Sequence, residues 1–396
     1  MSSPTTDHPT QHRGAVLSMS LCVAMLIAAE FMPVSLLTPI ARDLHATDGL
    51  AGQAISISGF FAVIASLSIA RLSAGLDRKH VLMALTAAML LSLVMIAMAP
   101  SFGLLMLARA LLGIVIGGFW SLATATVTRL VPPSAVARSL GTMYMGNAVA
   151  TAFAAPIGSY LGGIIGWRGV FWVLVPIVAL NLLWHWRSLP AMPPQPGAQQ
   201  LGPLALLGRR NVRFALPAVM LTFAGAFAAF TYFRPFLEDE THVSLPQLSM
   251  LLFALGLAGF VGTRGASRSL DRHLYRLLGS LPFALGVMTL LLLQVGSMLW
   301  PVAIALFIWG IVYSAIPVGW SAWMAHGVSD QAESAGGLIV AAIQLAILLG
   351  GALGGLLLDH LSIHATFAAG AILLVLASII VGDGARLRPA SVHAGH

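Results

Sequence analysis

The stretch "ARALLGIVIGGFWSLATATV" (108–127) sets one arginine, Arg109, into a run otherwise made of apolar, glycine and small hydroxyl residues. Glu30, in "AMLIAAEFMPVSLL" (24–37), is a comparable anomaly. Charges deep inside hydrophobic runs are costly and are by default functional candidates. A carboxylate there can gain or lose a proton, whereas a guanidinium stays charged. Glu30 lies about ten residues, roughly 15 Å, from one end of its run, and Arg109 about eight residues, roughly 12 Å, from the end expected on the same side. If the two runs are neighbours, the groups can share a cavity and couple transport to protons. The alternative is a static ion pair that only fixes helix packing. Pro33, three residues after Glu30, removes the N–H that would bond the Ala29 carbonyl, so a bend is expected beside the carboxylate.

Three aromatic stripes suggest recognition of a flat heterocycle. Phe223, Phe227, Phe230 and Arg234 share one helical face, as do Trp309, Tyr313, Pro317 and Trp320. Trp120 and Thr124 continue the stripe that begins with Arg109, Gly113 and Gly117. The rings offer stacking faces, while Thr124, Asn147, Tyr313 and Gln344 offer hydrogen bonds to ring edges or sugar hydroxyls. Singly, each aromatic is also explained by packing. Arg234 stands four residues before "EDE" (238–240), so pairing with those acids or snorkelling competes with ligand binding.

The elements that carry these residues are membrane spans. Apolar residues make up 58% of the chain and charged residues 8%, far below the roughly one quarter of soluble domains. Hydrophobic runs fall near 15–41, 49–74, 79–99, 101–128, 135–164, 168–187, 213–238, 246–268, 273–296, 299–326, 332–359 and 363–382. Continuous runs of about 20 residues fit helices and disfavour a β-barrel. The polar start "MSSPTTDHPTQHRG" shows no removable signal peptide. Apart from Arg42, Arg168, Arg109 and Arg234, every Lys and Arg falls in segments on one side, which places both termini in the cytoplasm. The expected organisation is a tail over 1–14, a six-helix bundle over 15–187, a proline- and glycine-rich linker over 188–212, a second six-helix bundle over 213–382 and a tail over 383–396.

An internal repeat agrees with two halves: "GLDRKH" (75–80) and "SLDRHL" (269–274) place Asp77-Arg78 and Asp271-Arg272 at corresponding points. Parallel halves of this kind rock around a site at the bilayer midplane. The net charge of +7 reflects topology rather than nucleic-acid binding. Nothing in the sequence supplies a nucleotide-binding or hydrolase motif, so no enzyme activity and no cofactor are expected. Cys22 is the one cysteine and the histidines lack ligand spacing, so no metal site is expected either.

"LARALLGIVIGG", with Arg109 followed by Gly113, resembles the fourth-span signature of the major facilitator superfamily. "ATAFAAPIGSYLGG" (150–163) is similar to its fifth-span antiporter signature, with Pro156 and Gly158 in place and Ala155 where glycine is usual. "GLDRKH" resembles a shortened form of its loop signature. "EFMPVSLLTPIARDL", "GGFWSL", "RLVPP", "FTYFRP", "PVGWSAW" and "DQAESAG" resemble a subgroup that exports purine nucleosides and sugars. The resemblance implies an all-α polytopic membrane protein with twelve spans in two pseudo-symmetric bundles, sitting as a monomer in the bacterial inner membrane lipid bilayer. It implies export of a small polar metabolite against protons, with purine ribonucleosides and base analogues as expected cargo and sugars or drugs as the alternative. It further implies gating roles for Asp77, Arg78, Gly113, Pro156 and Gly158, and the bend at Pro33 and the repeated Asp271-Arg272 pair are expected to take part in the same movement. A different class, a transport-dead sensor or scaffold, is favoured only if Glu30 and Arg109 prove dispensable.

Overall fold

Long apolar runs leave the backbone no partner in lipid except itself, so each span closes its own hydrogen bonds as an α-helix. In the computed structural model, which describes residues 11–73, 75–132, 135–194, 203–328 and 332–388, this gives twelve α-helices. They are α1 (Gln11–Ser35), α2 (Leu37–Asp43), α3 (Asp48–Leu72), α4 (Arg78–Ala97), α5 (Phe102–Leu130) and α6 (Val136–Ser188), then α7 (Arg210–Phe230), α8 (Phe233–Asp239), α9 (Leu245–Val295), α10 (Leu299–Gly327), α11 (Ala332–His360) and α12 (Ile363–Val381). Among the described residues, eleven runs are long and apolar enough to cross a membrane. One of them, Ser139–Ser188, is 50 residues long. As a straight helix it would reach about 75 Å, more than twice the hydrocarbon core. Gly166, at φ 74° and ψ 162°, breaks it into two passes, a conformation glycine adopts without a Cβ penalty.

The first span departs from the continuous 15–41 expected. It stops at Ser35, and α2 restarts as a seven-residue helix after Leu36 at φ −113°, ψ 9°. The 213–238 run divides in the same manner, because α7 ends at Phe230 and the seven-residue α8 restarts after Tyr232 at φ −111°, ψ 19°. Both boundaries of α8 fall 196 positions after those of α2. His45 and His242, just beyond the two short helices, share a left-handed backbone at φ 53° and 54°. The repeat is therefore written into backbone conformation more strongly than into side chains.

Side-chain caps fix several starts: Asp77 accepts from Lys79 N, Ser101 from Leu104 N and Ser362 from Ala365 N. The buried apolar side chains form two large clusters. One is drawn from Ala15 to Met192. The other runs from Leu206 to Leu387 and takes in Val34, Leu37, Ala41, Ala51 and Ile55 from the first half. The halves thus interlock at the end carrying α2 and α8. Within the expected linker 188–212, Pro203–Gly208 forms a 3-10 turn, and α7 begins at Arg210. The first part of the linker is clipped to the first half, with Met192 N donating to Asp77 Oδ1 at 2.9 Å and Met192 O accepting from Arg78 N at 3.0 Å.

Candidate functional site

The site begins with a backbone defect. Pro33 leaves the Ala29 carbonyl of α1 without its helical donor, and in a lipid-embedded bundle that vacancy must be filled. Arg109 fills it. Its Nη1 donates to Ala29 O at 2.7 Å, Nη2 to Glu30 O at 3.1 Å and Nε to Ala54 O at 2.8 Å. The guanidinium is fully buried and ties α5 to both α1 and α3. The carboxylate and guanidinium expected to share a cavity are neighbours here, and among the described residues no hydrogen bond joins their side chains. Arg109 spends its hydrogen bonds on carbonyls, and its charge only lies within electrostatic range of the Glu30 carboxylate.

The residues following Arg109 explain how it gets there. A Cβ on Gly113 would lie 2.2 Å from Ser58 O, and one on Gly117 would lie 2.0 Å from Ala62 O. Only glycine lets α5 approach the α3 backbone so closely. Ser58 Oγ then donates to Arg109 O at 3.0 Å. The stripe 109/113/117 is thus a packing seam that aims the guanidinium. Gly158 plays the same part for α6 against α1, with Ser35 Oγ 2.8 Å from where its Cβ would be.

Glu30 is 5% exposed, and its Oε1 accepts from Gln344 Nε2 of α11 at 3.4 Å. That contact joins the two halves. From Phe31, the next residue of α1, aromatic rings of both halves converge. Phe31 lies 5.7 Å from Phe227 and meets Phe230 edge-on at 6.1 Å. Tyr313 meets Phe227 edge-on at 6.3 Å and stacks on Phe230 at 11°. Trp309 stacks on Tyr313 at 5.0 Å and donates from Nε1 to Thr289 Oγ1 at 3.0 Å, which locks it into the second half.

Other residues singled out by sequence lie elsewhere. Trp320 meets Trp323 edge-on at 5.8 Å, and Trp323 Nε1 donates to Leu387 O at 2.8 Å, so this pair packs the opposite end of α10. Phe223 is buried in the core of the second half. Trp120 stacks on Tyr144 at 5.6 Å, one turn from Asn147 on α6, apart from the Glu30 group. Arg234 does not line the aromatic cluster: Nε donates to Glu238 Oε1 at 2.9 Å and Nη1 donates to Ser35 O, while Thr38 Oγ1 donates to Glu238 Oε2 at 2.6 Å. A buried cation four residues from an acid on one helix is used by that acid, and here the pair latches α8 to the first half.

Asp77 caps α4 and holds the linker. Although partial burial works against its charge, the amides of Met192 and Lys79 keep its carboxyl below the ordinary range. Pro156 lies on α6 facing Phe253 and Met250 of α9 across an apolar groove. The side chains of Thr124, Asp271 and Arg272 lie outside the described residues. Phe31 and Tyr144 were missed from the sequence, whereas the pairing of Arg234 with the acids at 238–240 was one of its open readings. Phe31 was signalled only by its place beside Glu30, and Tyr144 by its spacing of three from Asn147.

The Major Facilitator Superfamily model matches residues 19–345. The chain belongs to that superfamily. Its similarity extends to whole relatives: 46% identity over 373 residues, covering 92% of both chains, to the transcription regulatory protein OpdE of Pseudomonas aeruginosa. It is 38% identical over 377 residues, covering 95% of both chains, to the purine ribonucleoside efflux pump NepI of Salmonella enteritidis and equally to that of Salmonella typhimurium. A solved bacterial homolog of the human lysosomal transporter Spinster, in an inward-facing and occupied conformation, superposes with a TM-score of 0.74 at 16% identity, over 92% of this chain and 95% of that one. The superfamily fold is thereby shown: a multi-pass helical transporter, which is not an enzyme family.

Proposed function

We propose that this chain exports purine ribonucleosides, such as inosine and guanosine, in exchange for protons by alternating access. The observation that carries the reading is the Glu30–Gln344 contact. A buried carboxylate bridges the two halves, and the residue after it, Phe31, meets the rings of the second half. A carboxylate in that place is able to exchange a proton and a hydrogen-bond donor at a point where the halves must part. Phe31, Phe227, Phe230 and Tyr313 supply faces for a base, and the relatives named purine ribonucleoside efflux pumps support that class over sugars or drugs. Arg109 acts here as a splint that holds the α1 bend and so positions Glu30. Trp120 and Asn147 belong to a separate polar-aromatic group on the first half, available to a sugar or a second ring.

The same reading takes residues 15–187 and 213–382 as the two moving bodies, both termini as cytoplasmic, the bacterial inner membrane as the location and a monomer as the working unit. Uptake of radiolabelled inosine into everted vesicles under an imposed pH gradient tests it: gradient-dependent accumulation is expected, abolished by a protonophore. A second reading, a membrane protein that signals without transporting, is favoured by the name of the relative at 46% identity. Folded protein in vesicles that never accumulate a nucleoside, sugar or drug under either gradient would favour it.

A further inference from the structure

Among the described residues, the Glu30 carboxylate accepts one hydrogen bond, from Gln344 Nε2, and at 3.4 Å it is long for an amide donor on a carboxylate. Two carboxylate oxygens offer about four acceptor positions, so this group is under-used. The neighbouring cation does not bond them: the three Arg109 hydrogen bonds among the described residues all go to backbone carbonyls. Gln344 brings a planar amide, and Phe31, the residue after Glu30, and Tyr313 both pack against Phe227.

We propose that Glu30 reads the N–H donor edge of the transported base, and that Gln344 occupies this position until substrate displaces it. The proposal rests on the purine reading above and deepens it by naming the recognised edge. Guanine presents N1–H and an N2 amino group side by side, and a carboxylate takes two parallel donors with its two oxygens. Hypoxanthine presents N1–H alone. Adenine offers an amino group next to a bare ring nitrogen, whose lone pair faces one carboxylate oxygen. The amide of Gln344 imitates the lactam edge, and its long contact means that little is lost when it yields.

The test is competition against radiolabelled guanosine on the full-length protein in detergent, using inosine, adenosine and 1-methylguanosine. It is run on the wild type, Glu30→Gln and Gln344→Leu, each checked for a single thermal unfolding transition. In the wild type, guanosine should bind more tightly than inosine and inosine more tightly than adenosine. Methylation of N1 should weaken guanosine about tenfold or more, the value of one donor to a charged acceptor. Glu30→Gln should lose the discrimination against 1-methylguanosine, and Gln344→Leu should bind guanosine more tightly while keeping that discrimination. Equal competition by guanosine and 1-methylguanosine in the wild type, or discrimination that survives in Glu30→Gln, overturns the proposal and leaves purine transport standing. Loss of guanosine binding in folded Gln344→Leu overturns the displacement, since it would make Gln344 a substrate contact. Failure of every purine nucleoside to bind the folded wild type overturns both the proposal and the reading beneath it.

Discussion

Arg109 Nη1 lies 2.7 Å from the Ala29 carbonyl oxygen, the acceptor that Pro33 deprives of its helical N–H. A proline kink in α1 and an arginine on α5 are thus two halves of one arrangement. Arg109→Lys should be strongly disruptive, because one ammonium cannot span three carbonyls on two helices. Each buried carbonyl left unpaired costs about 1–3 kcal/mol. Pro33→Ala restores the missing donor and should make the Ala29 bond redundant. Thermal unfolding of the two single variants and the double should show a smaller penalty for Arg109→Lys in the Pro33→Ala background. Equal penalties in both backgrounds would separate the kink from the arginine.

The α3–α5 seam makes a sharper stability prediction. Gly113→Ala and Gly117→Ala place a Cβ 2.2 Å and 2.0 Å from backbone carbonyls, so the helices must part, at about 1–3 kcal/mol each. Gly141 on α6 has nothing within 4 Å of such a Cβ, and Gly141→Ala should be neutral or stabilising by about 0.5–1 kcal/mol. Melting temperatures of the three variants check the ordering.

Substitution of aromatics should now divide where the stripes suggested equivalence. Phe227→Leu removes a face packed against Phe31 and Tyr313 and should weaken inosine by about 1–3 kcal/mol while sparing a sugar such as arabinose. Trp320→Leu lies in the Trp320–Trp323 pair and should lower stability without changing the ratio of the two ligands. Competition assays distinguish them, and a selective purine defect in Trp320→Leu would move the recognition site along α10.

At the α2/α8 end, Arg168 donates to Asp43, and this bond holds the Asp43 carboxyl below its ordinary range against a smaller opposing effect of burial; Trp167 Nε1 adds a bond at 3.2 Å. A depressed native value means that the unfolded chain takes up the proton first. The stabilisation is therefore present above the ordinary aspartate pKa of about 3.9 and is lost as pH falls through the native value. The stability gap between the wild type and Asp43→Asn should be open at neutral pH and close on acidification. A gap unchanged down to acid would show that the bond does not depend on the charge.

Arg234, Glu238, Thr38 and Ser35 form a second device at that end, joining α8 to the first half. Glu238→Gln should loosen it. In a Cys22→Ser background, a cysteine at Ser56, which bonds Leu348 O across the halves, should then react faster with a polar maleimide than in the unaltered latch. An unchanged rate would confine the pair to a local role.

The spans were legible because continuous apolar runs have one solution in lipid, and the repeat was legible because "DRKH" and "DRHL" keep their spacing. The breaks after Ser35 and Phe230 were not, since each lies inside an unbroken hydrophobic run and depends on backbone conformation. Glu30 and Arg109 stood out as charges in oil, but sequence could not tell a guanidinium aimed at a carboxylate from one aimed at carbonyls. That choice is made by Pro33 and by the depth to which Gly113 and Gly117 let α5 sink into α3. The period of the α10 stripe placed Trp309, Tyr313 and Trp320 on one face, yet a face about 17 Å long serves two neighbourhoods.

Glu30 as the coupling carboxylate is the central claim, and Glu30→Gln measures it most directly, because glutamine keeps size and hydrogen bonding but cannot release a proton. In everted vesicles of equal protein content, the wild type should accumulate inosine in proportion to the imposed pH difference, while Glu30→Gln should equilibrate inosine and go no further. Accumulation by Glu30→Gln that still follows the pH difference would contradict the assignment.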